Sequence, residues 1–399
     1  MVDAMPTPRL VSLLTILFAA TASAATGQEL ASLVRQTVAK PLAEQKLVGA
    51  VTLVARDGSI VDLQAHGLAD RESKRPMTPD TIFRIHSCTK AITSAAALML
   101  HEEGKFQFDD PVSQWLPEFT QLKLGHAPAR EPMKIRHLFT HTSGLSYDHR
   151  SALEAGDSAA VASAIAKTPL AFEPGSGWTY GVSIDTLGRL VEIWSGQRLE
   201  TFFRERFFDP LGMVDTAFHV PQEKRNRLAT LYRDDKASAG KLVPSNAAGL
   251  NEKPVPTEDP AFCMPGGGLY STAQDYYRFL QMIQNGGEFQ GKRYLKPQTA
   301  TLMQANQVPA GIGWIRFDQE IRDGFGFGYG FNAVCQPSQW DPDARVGESG
   351  WGGAASCHYW MHPDHRLIVI TLEQTMPYRW TLERALKGPV YRHFAVPSP

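Results

Sequence analysis

The sequence predicts an α/β fold: one antiparallel sheet assembled from both chain ends, flanked by helices and interrupted by a mostly helical insertion. Three observations carry that prediction. Residues 48–55 and 59–67 read as a β-hairpin around the turn Arg56-Asp57-Gly58-Ser59. Residues 326–334, 353–362 and 367–372 read as strands near the other end, with His362-Pro363-Asp364-His365 as the turn between the last two. Between these ends, from about residue 134 to residue 231, helical apolar spacing dominates. The expected organisation is a leader over 1–24, a sheet domain over 25–85 and 265–399, and a helical domain over 86–264.

Taken in order, Arg9 precedes the apolar run 10–20, and Ala22-Ser23-Ala24 follows it. A basic start, a short apolar core and an Ala-x-Ala end describe an export signal cut after Ala24, so the mature chain is expected in a periplasm or outside the cell. The run is shorter than the roughly 20 residues that span a bilayer, and no later stretch is long enough, so no membrane partner is expected. Residues 28–47 read as an amphipathic helix despite Pro41, and residues 109–116 as a helix with a capped start. A helix over 137–145 should stop at Gly144. Residues 184–195 and 200–208 carry helical spacing, and residues 233–260 read as loop. Thr272 is the expected cap of a helix over 273–283, and a last helix covers 380–394.

The chain of 399 residues carries a formal net charge of −1 and no long basic run, which gives nucleic acid no footprint. Of its four cysteines, Cys335 and Cys357 could bridge neighbouring strands. Neither C-x-x-C nor H-E-x-x-H occurs, so no metal site and no cofactor is expected. Oligomeric state is not legible.

The chemistry gathers at Ser87. Lys90 follows three residues later and leads into Ala91–Leu100, a helical run of small and apolar residues. Residues three apart share a helix face, so hydroxyl and amine can meet. Burial there disfavours the charged amine, and a neutral amine beside a hydroxyl is a general base beside a nucleophile. A second S-x-x-K, Ser238-Ala239-Gly240-Lys241, lies in a polar stretch with an internal glycine and is read as coincidence. No serine sits in G-x-S-x-G, and no local pattern supports a Ser-His-Asp triad. His86 and His141 are read as satisfied structural histidines and Cys88 as buried packing. Glu348 has no assigned role.

Two further stretches turn the pattern into a resemblance. Phe172-Glu173-Pro174-Gly175-Ser176-Gly177-Trp178-Thr179-Tyr180-Gly181-Val182 sets a tyrosine ahead of a helix, and Gly347-Glu348-Ser349-Gly350-Trp351-Gly352-Gly353-Ala354-Ala355 sets small residues on an expected strand. With Ser87 and Lys90, these resemble the three motifs of the serine β-lactamase and penicillin-binding-protein superfamily in its class C-like branch. Residues 137–145, Pro210-Leu211-Gly212-Met213 and residues 266–272 also match, so the resemblance spans about residues 47–374. It implies the β-lactamase/DD-peptidase-like fold. It also implies Ser87 as nucleophile forming an acyl-enzyme, Lys90 and Tyr180 as a proton relay with the primary base left open, and the N–H groups of Ser87 and Ala354 as oxyanion hole. A Tyr180 phenolate would need a cation close by, for which Lys90 is the candidate.

Two departures from the pattern point to a substrate class. Val182 stands where relatives of the β-lactamase type carry asparagine, which removes a side-chain hydrogen bond to a substrate amide. Trp351 replaces the lysine that would meet a β-lactam or peptide carboxylate. This combination looks like the family VIII carboxylesterases. Trp351, Gly352, Gly353 and Val182 are then the expected substrate contacts, with a small-molecule ester as substrate. The alternative is a class C-like β-lactamase or D-amino-acid peptidase acting on β-lactam or peptidoglycan-type amides. A penicillin-recognising sensor that acylates without turnover is the third class.

Overall fold

The computed structural model describes residues 10–235, 241–245 and 254–397, with side chains described from residue 27 onward. Of the second S-x-x-K, Ser238-Ala239-Gly240 fall outside the described residues, while Lys241 opens the strand Lys241–Pro244.

Eight strands form the main sheet among the described residues: β1 (Gly49–Arg56), β2 (Ser59–Asp70), β3 (Arg75–Pro76), β4 (Phe325–Phe327), β5 (Asn332–Val334), β6 (Ser349–Gly353), β7 (Cys357–His362) and β8 (Leu367–Glu373). Their spatial order is β4-β5-β6-β7-β8-β1-β2-β3, and neighbouring strands run antiparallel. The two chain ends meet where β1 pairs β8, with Leu53 opposite Ile370. The α/β fold with its sheet from both chain ends is therefore present.

Side-chain alternation along each strand divides the core. Val51 and Leu53 of β1, with Ile368 and Ile370 of β8, face the larger core that holds helix α2 (Thr89–Glu102). Ala50, Val54 and Val369 point the other way, onto the terminal helices α1 (Leu10–Ala43) and α5 (Thr381–His393). From α1, Leu30, Val34 and Val38 form one stripe at four-residue spacing against this face. α2 is buried along Thr89–Leu100, its alanines among the buried residues. Helix α3 (Ser183–Ser195) packs against α2, and α4 (Ala273–Gln284) packs against β8. Thr272 caps α4 by accepting from the Asp275 amide, as expected.

Four local expectations are corrected. Residues 109–116 form only a short 3-10 turn, Val112–Gln114; the Asp110 carboxylate accepts from the Gln107 amide and caps nothing. The helix expected over 137–145 is Ile135–Phe139, because His141 at φ 58° and Gly144 at φ 83° turn the chain left-handed. The stretch 233–260 is not all loop: Tyr232–Asp235 and Lys241–Pro244 pair as a hairpin, and Tyr232 also pairs with Thr375. Its mixed, largely polar pattern hides this local pairing. Finally, Cys335 and Cys357 are free: Cys335 follows β5, and β6 lies between that strand and β7, which carries Cys357.

Candidate active site

Ser87 sits in the 3-10 turn His86–Cys88 that runs into α2. His86 holds φ at 44°, a left-handed conformation costly for a non-glycine residue, immediately before the serine. The Tyr276 hydroxyl donates to the Cys88 carbonyl at 2.9 Å and ties the turn down from α4. One helical turn on, Lys90 is 2% exposed and its Nζ lies 3.2 Å from Ser87 Oγ and 2.5 Å from the Gly266 carbonyl.

The segment 265–269 is the clamp on this turn. Thr93 donates to the Pro265 carbonyl at 2.7 Å, and the Leu269 amide donates to Thr89 Oγ1 at 3.2 Å. The Gly266 amide donates to Asp185 Oδ1 at 2.9 Å, so a single residue, through its N–H and its C=O, links the Asp185 carboxylate to the Lys90 amine. A Cβ at position 266 would stand 2.5 Å from Asp185 Oδ2, which explains the glycine. Burial pushes the Asp185 carboxyl up to about 6, against the opposing pull of the Lys90 charge and the Gly266 N–H.

Tyr180 reaches the site from the loop before α3. Its hydroxyl is within hydrogen-bonding reach of Ser87 and accepts from Trp351 Nε1 at 3.0 Å. Lys90 Nζ lies 4.8 Å from the centre of the Tyr180 ring. Burial pushes the phenol up, so the hydroxyl is protonated at rest. Tyr147, edge-on to Tyr180 with ring centres 5.5 Å apart, is also within hydrogen-bonding reach of Ser87.

On the other side, Ala354 follows β6, and with Ser87 it lines a cavity of about 350 Å3. Trp351, Phe317, Tyr378 and Trp380 wall it, while Glu320 and Arg322 are the charged groups on its lining. Gly352 lines the cavity and leaves room for Tyr378, whose hydroxyl would be 2.3 Å from a Cβ there. Among the described residues no cluster of His, Cys, Asp and Glu could hold a metal ion, and no helix is long and apolar enough to cross a membrane.

The structure thus brings Ser87, Lys90, Tyr180, Trp351, Gly352 and Ala354 together. Val182 and Gly353 were expected to contact substrate, yet neither lines the cavity. Val182 is fully buried at the start of α3, because that helix presents its first turn to the core. Gly353 faces the chain before Ser87: a Cβ there would be 2.2 Å from the Ile85 carbonyl. His141 is buried with no protein hydrogen-bond partner for either ring nitrogen, and His86 Nε2 has none either, so the structure shows no protein partner that satisfies them. Burial holds both neutral, with His86 down to about 4. Cys88 is buried packing. Glu348 accepts from Lys387 Nζ at 2.8 Å and from the Tyr391 hydroxyl at 2.6 Å, joining β6 to α5.

The family model described as Beta-lactamase matches residues 34–386, nearly the whole described chain. The chain belongs to the beta-lactamase family. This beta-lactamase family member is an enzyme of the serine-hydrolase class. It is similar to Esterase EstB of Burkholderia gladioli, 34% identical over 360 residues that cover 84% of this chain and 88% of that one. A lovastatin esterase of Penicillium rubens is 27% identical over 355 residues, covering 80% and 86%. Among solved structures, EstCE1, a hydrolase with promiscuous acyltransferase activity, superposes with a TM-score of 0.76 at 27% identity, covering 92% of this chain and 99% of that one.

Sequence reasoning missed Tyr147, Asp185 and the cavity residues on 317–322. Asp185 offered a signal, an acid among the apolar residues that open α3. Phe317 and Arg322 offered none, because their short hairpin has no periodicity long enough to read.

Proposed function

We propose that the protein is a serine carboxylesterase that works through an acyl-enzyme on Ser87. The observation that carries this reading is Lys90 Nζ at 3.2 Å from Ser87 Oγ, buried at the base of an aromatic cavity. In its neutral form Lys90 accepts the Ser87 proton as Oγ attacks the ester carbonyl. The N–H groups of Ser87 and Ala354 hold the oxyanion, an interaction whose loss costs about 3 kcal/mol in such sites. When the tetrahedral intermediate collapses, the ester C–O bond breaks and the alcohol leaves with a proton returned through Tyr180. Because Tyr180 accepts from Trp351, its own proton is free to point at Ser87 or the departing oxygen. Water then attacks the acyl-enzyme and releases the acid.

The identities of relatives support an ester over an amide: esterase names recur among them, and Trp351 supplies an indole where a cation would meet a β-lactam carboxylate. We also propose export, with cleavage after Ala24 and a periplasmic or secreted mature chain; mass spectrometry of protein recovered outside the cytoplasm would show residue 25 at its N-terminus. The catalytic reading is tested with 4-nitrophenyl butyrate. Ser87→Ala should lower kcat by 10^3-fold or more, on the order seen when such a nucleophile is removed, while circular dichroism stays unchanged. Full activity in that variant refutes the assignment, and cephalosporin turnover exceeding ester turnover would favour the β-lactamase alternative.

A further inference from the structure

We propose that Arg322 anchors an anionic group of the substrate, so that the preferred esters carry a carboxylate remote from the scissile bond. This rests on the esterase reading of Ser87 and names its substrate class. The third motif supplies no cation, since Trp351 stands there, but the fold returns one to the same cavity from a different element.

Arg322 follows the hairpin in which Phe317 pairs with Glu320, and its amide donates to the Ile315 carbonyl at 3.0 Å. Its guanidinium lies 4.0 Å from the centre of the Phe317 ring, 4.4 Å from Trp340 and 5.3 Å from Trp380. These rings leave the residue 6% exposed. The group has therefore been stripped of most of its water by folding, and its plane is held before any ligand arrives.

The charge is only partly answered. Arg322 Nε donates to Glu320 at 3.1 Å, and the Glu320 side chain is 40% exposed, so solvent screens that pair. Glu383 also feels the Arg322 charge, but it is bound to Lys387 at 3.1 Å, a lysine that also serves Asp341 and Glu348. The Nε bond leaves the Nη hydrogens of the guanidinium for a second acceptor, and a carboxylate fits that fork. The remaining lining near the serine is aromatic, which suits the apolar stretch between the two ends of such a substrate.

The test compares 4-nitrophenyl hexanoate with the mono-4-nitrophenyl ester of adipic acid, similar in length and differing in a terminal carboxylate. The wild-type protein should show a kcat/KM at least tenfold higher for the adipate, and added salt should shrink that ratio. Arg322→Gln should reduce the ratio about 10- to 100-fold, the worth of a charge-assisted hydrogen bond, and Arg322→Lys should restore part of it. Glu320→Gln, which removes the competing carboxylate without disturbing the aromatic stack, should raise it. Turnover of the hexanoate with no preference for the adipate, or a preference that Arg322→Gln leaves intact, overturns the role of Arg322 alone. Absence of turnover of either ester overturns the esterase reading and this inference with it.

Discussion

The floor and the wall of the cavity are built in opposite ways. The floor is the 3-10 turn that leads into α2 together with its first turn, where Ser87 and Lys90 are gripped by Gly266, Asp185, Tyr276 and Tyr180 through hydrogen bonds and buried packing. The wall from Phe317 to Arg322 is a two-residue ladder followed by Arg322, which pairs with the partly exposed Glu320 of that ladder. The difference separates chemistry, which here rests on hydrogen bonds that fix individual atoms, from substrate choice, which rests on aromatic packing around one charged group.

That contrast can be broken from the floor first. Lys90→Ala should lower kcat on 4-nitrophenyl butyrate by 10^2- to 10^4-fold, the range for loss of a positioned general base; a smaller loss would move the base role to Tyr180. Gly353→Ala should follow, because the new Cβ would meet the Ile85 carbonyl and push the chain away from Ser87. A loss of about tenfold or more in kcat, with little change in KM, is the expected signature of a misplaced nucleophile.

The floor also carries a pH signature. Burial pushes the Asp185 carboxyl up to about 6 from its ordinary 3.8, so the folded chain keeps a proton that the unfolded chain has released. The unfolded state thus binds fewer protons between pH 4 and 6, and this contribution to stability is lost as pH rises through that window, by about 1.4 kcal/mol per unit at most. Asp185→Asn should flatten that slope in urea unfolding curves measured at pH 4, 5 and 6; an unchanged slope would assign the titration elsewhere. The wall should yield the smallest effect. Phe317→Ala is expected to change KM for longer acyl chains by a factor below about ten while kcat on butyrate holds, measured across esters of graded length.

The floor and the wall also differ in how they could be read. Ser87 and Lys90 sit in one helical turn, so their spacing announces their meeting. Tyr180 and Trp351 became legible through motifs that resemble a known superfamily. Val182 shows the limit of that route: it stands at the motif position where relatives carry asparagine, but as the residue that caps α3 it is buried in the core. The Cys335–Cys357 bridge failed for a related reason, since strand order cannot be read from local alternation.

By itself, then, the sequence determined the strands at both ends, the buried helix after the serine and the pair that opens it, because each rests on contacts within a few residues. Tertiary structure alone decided which carbonyl holds Lys90, which indole donates to Tyr180, and that an arginine 235 positions beyond Ser87 shares its cavity. Those pairings depend on long loops closing at particular places, and loop closure leaves no periodic trace in the chain that makes it.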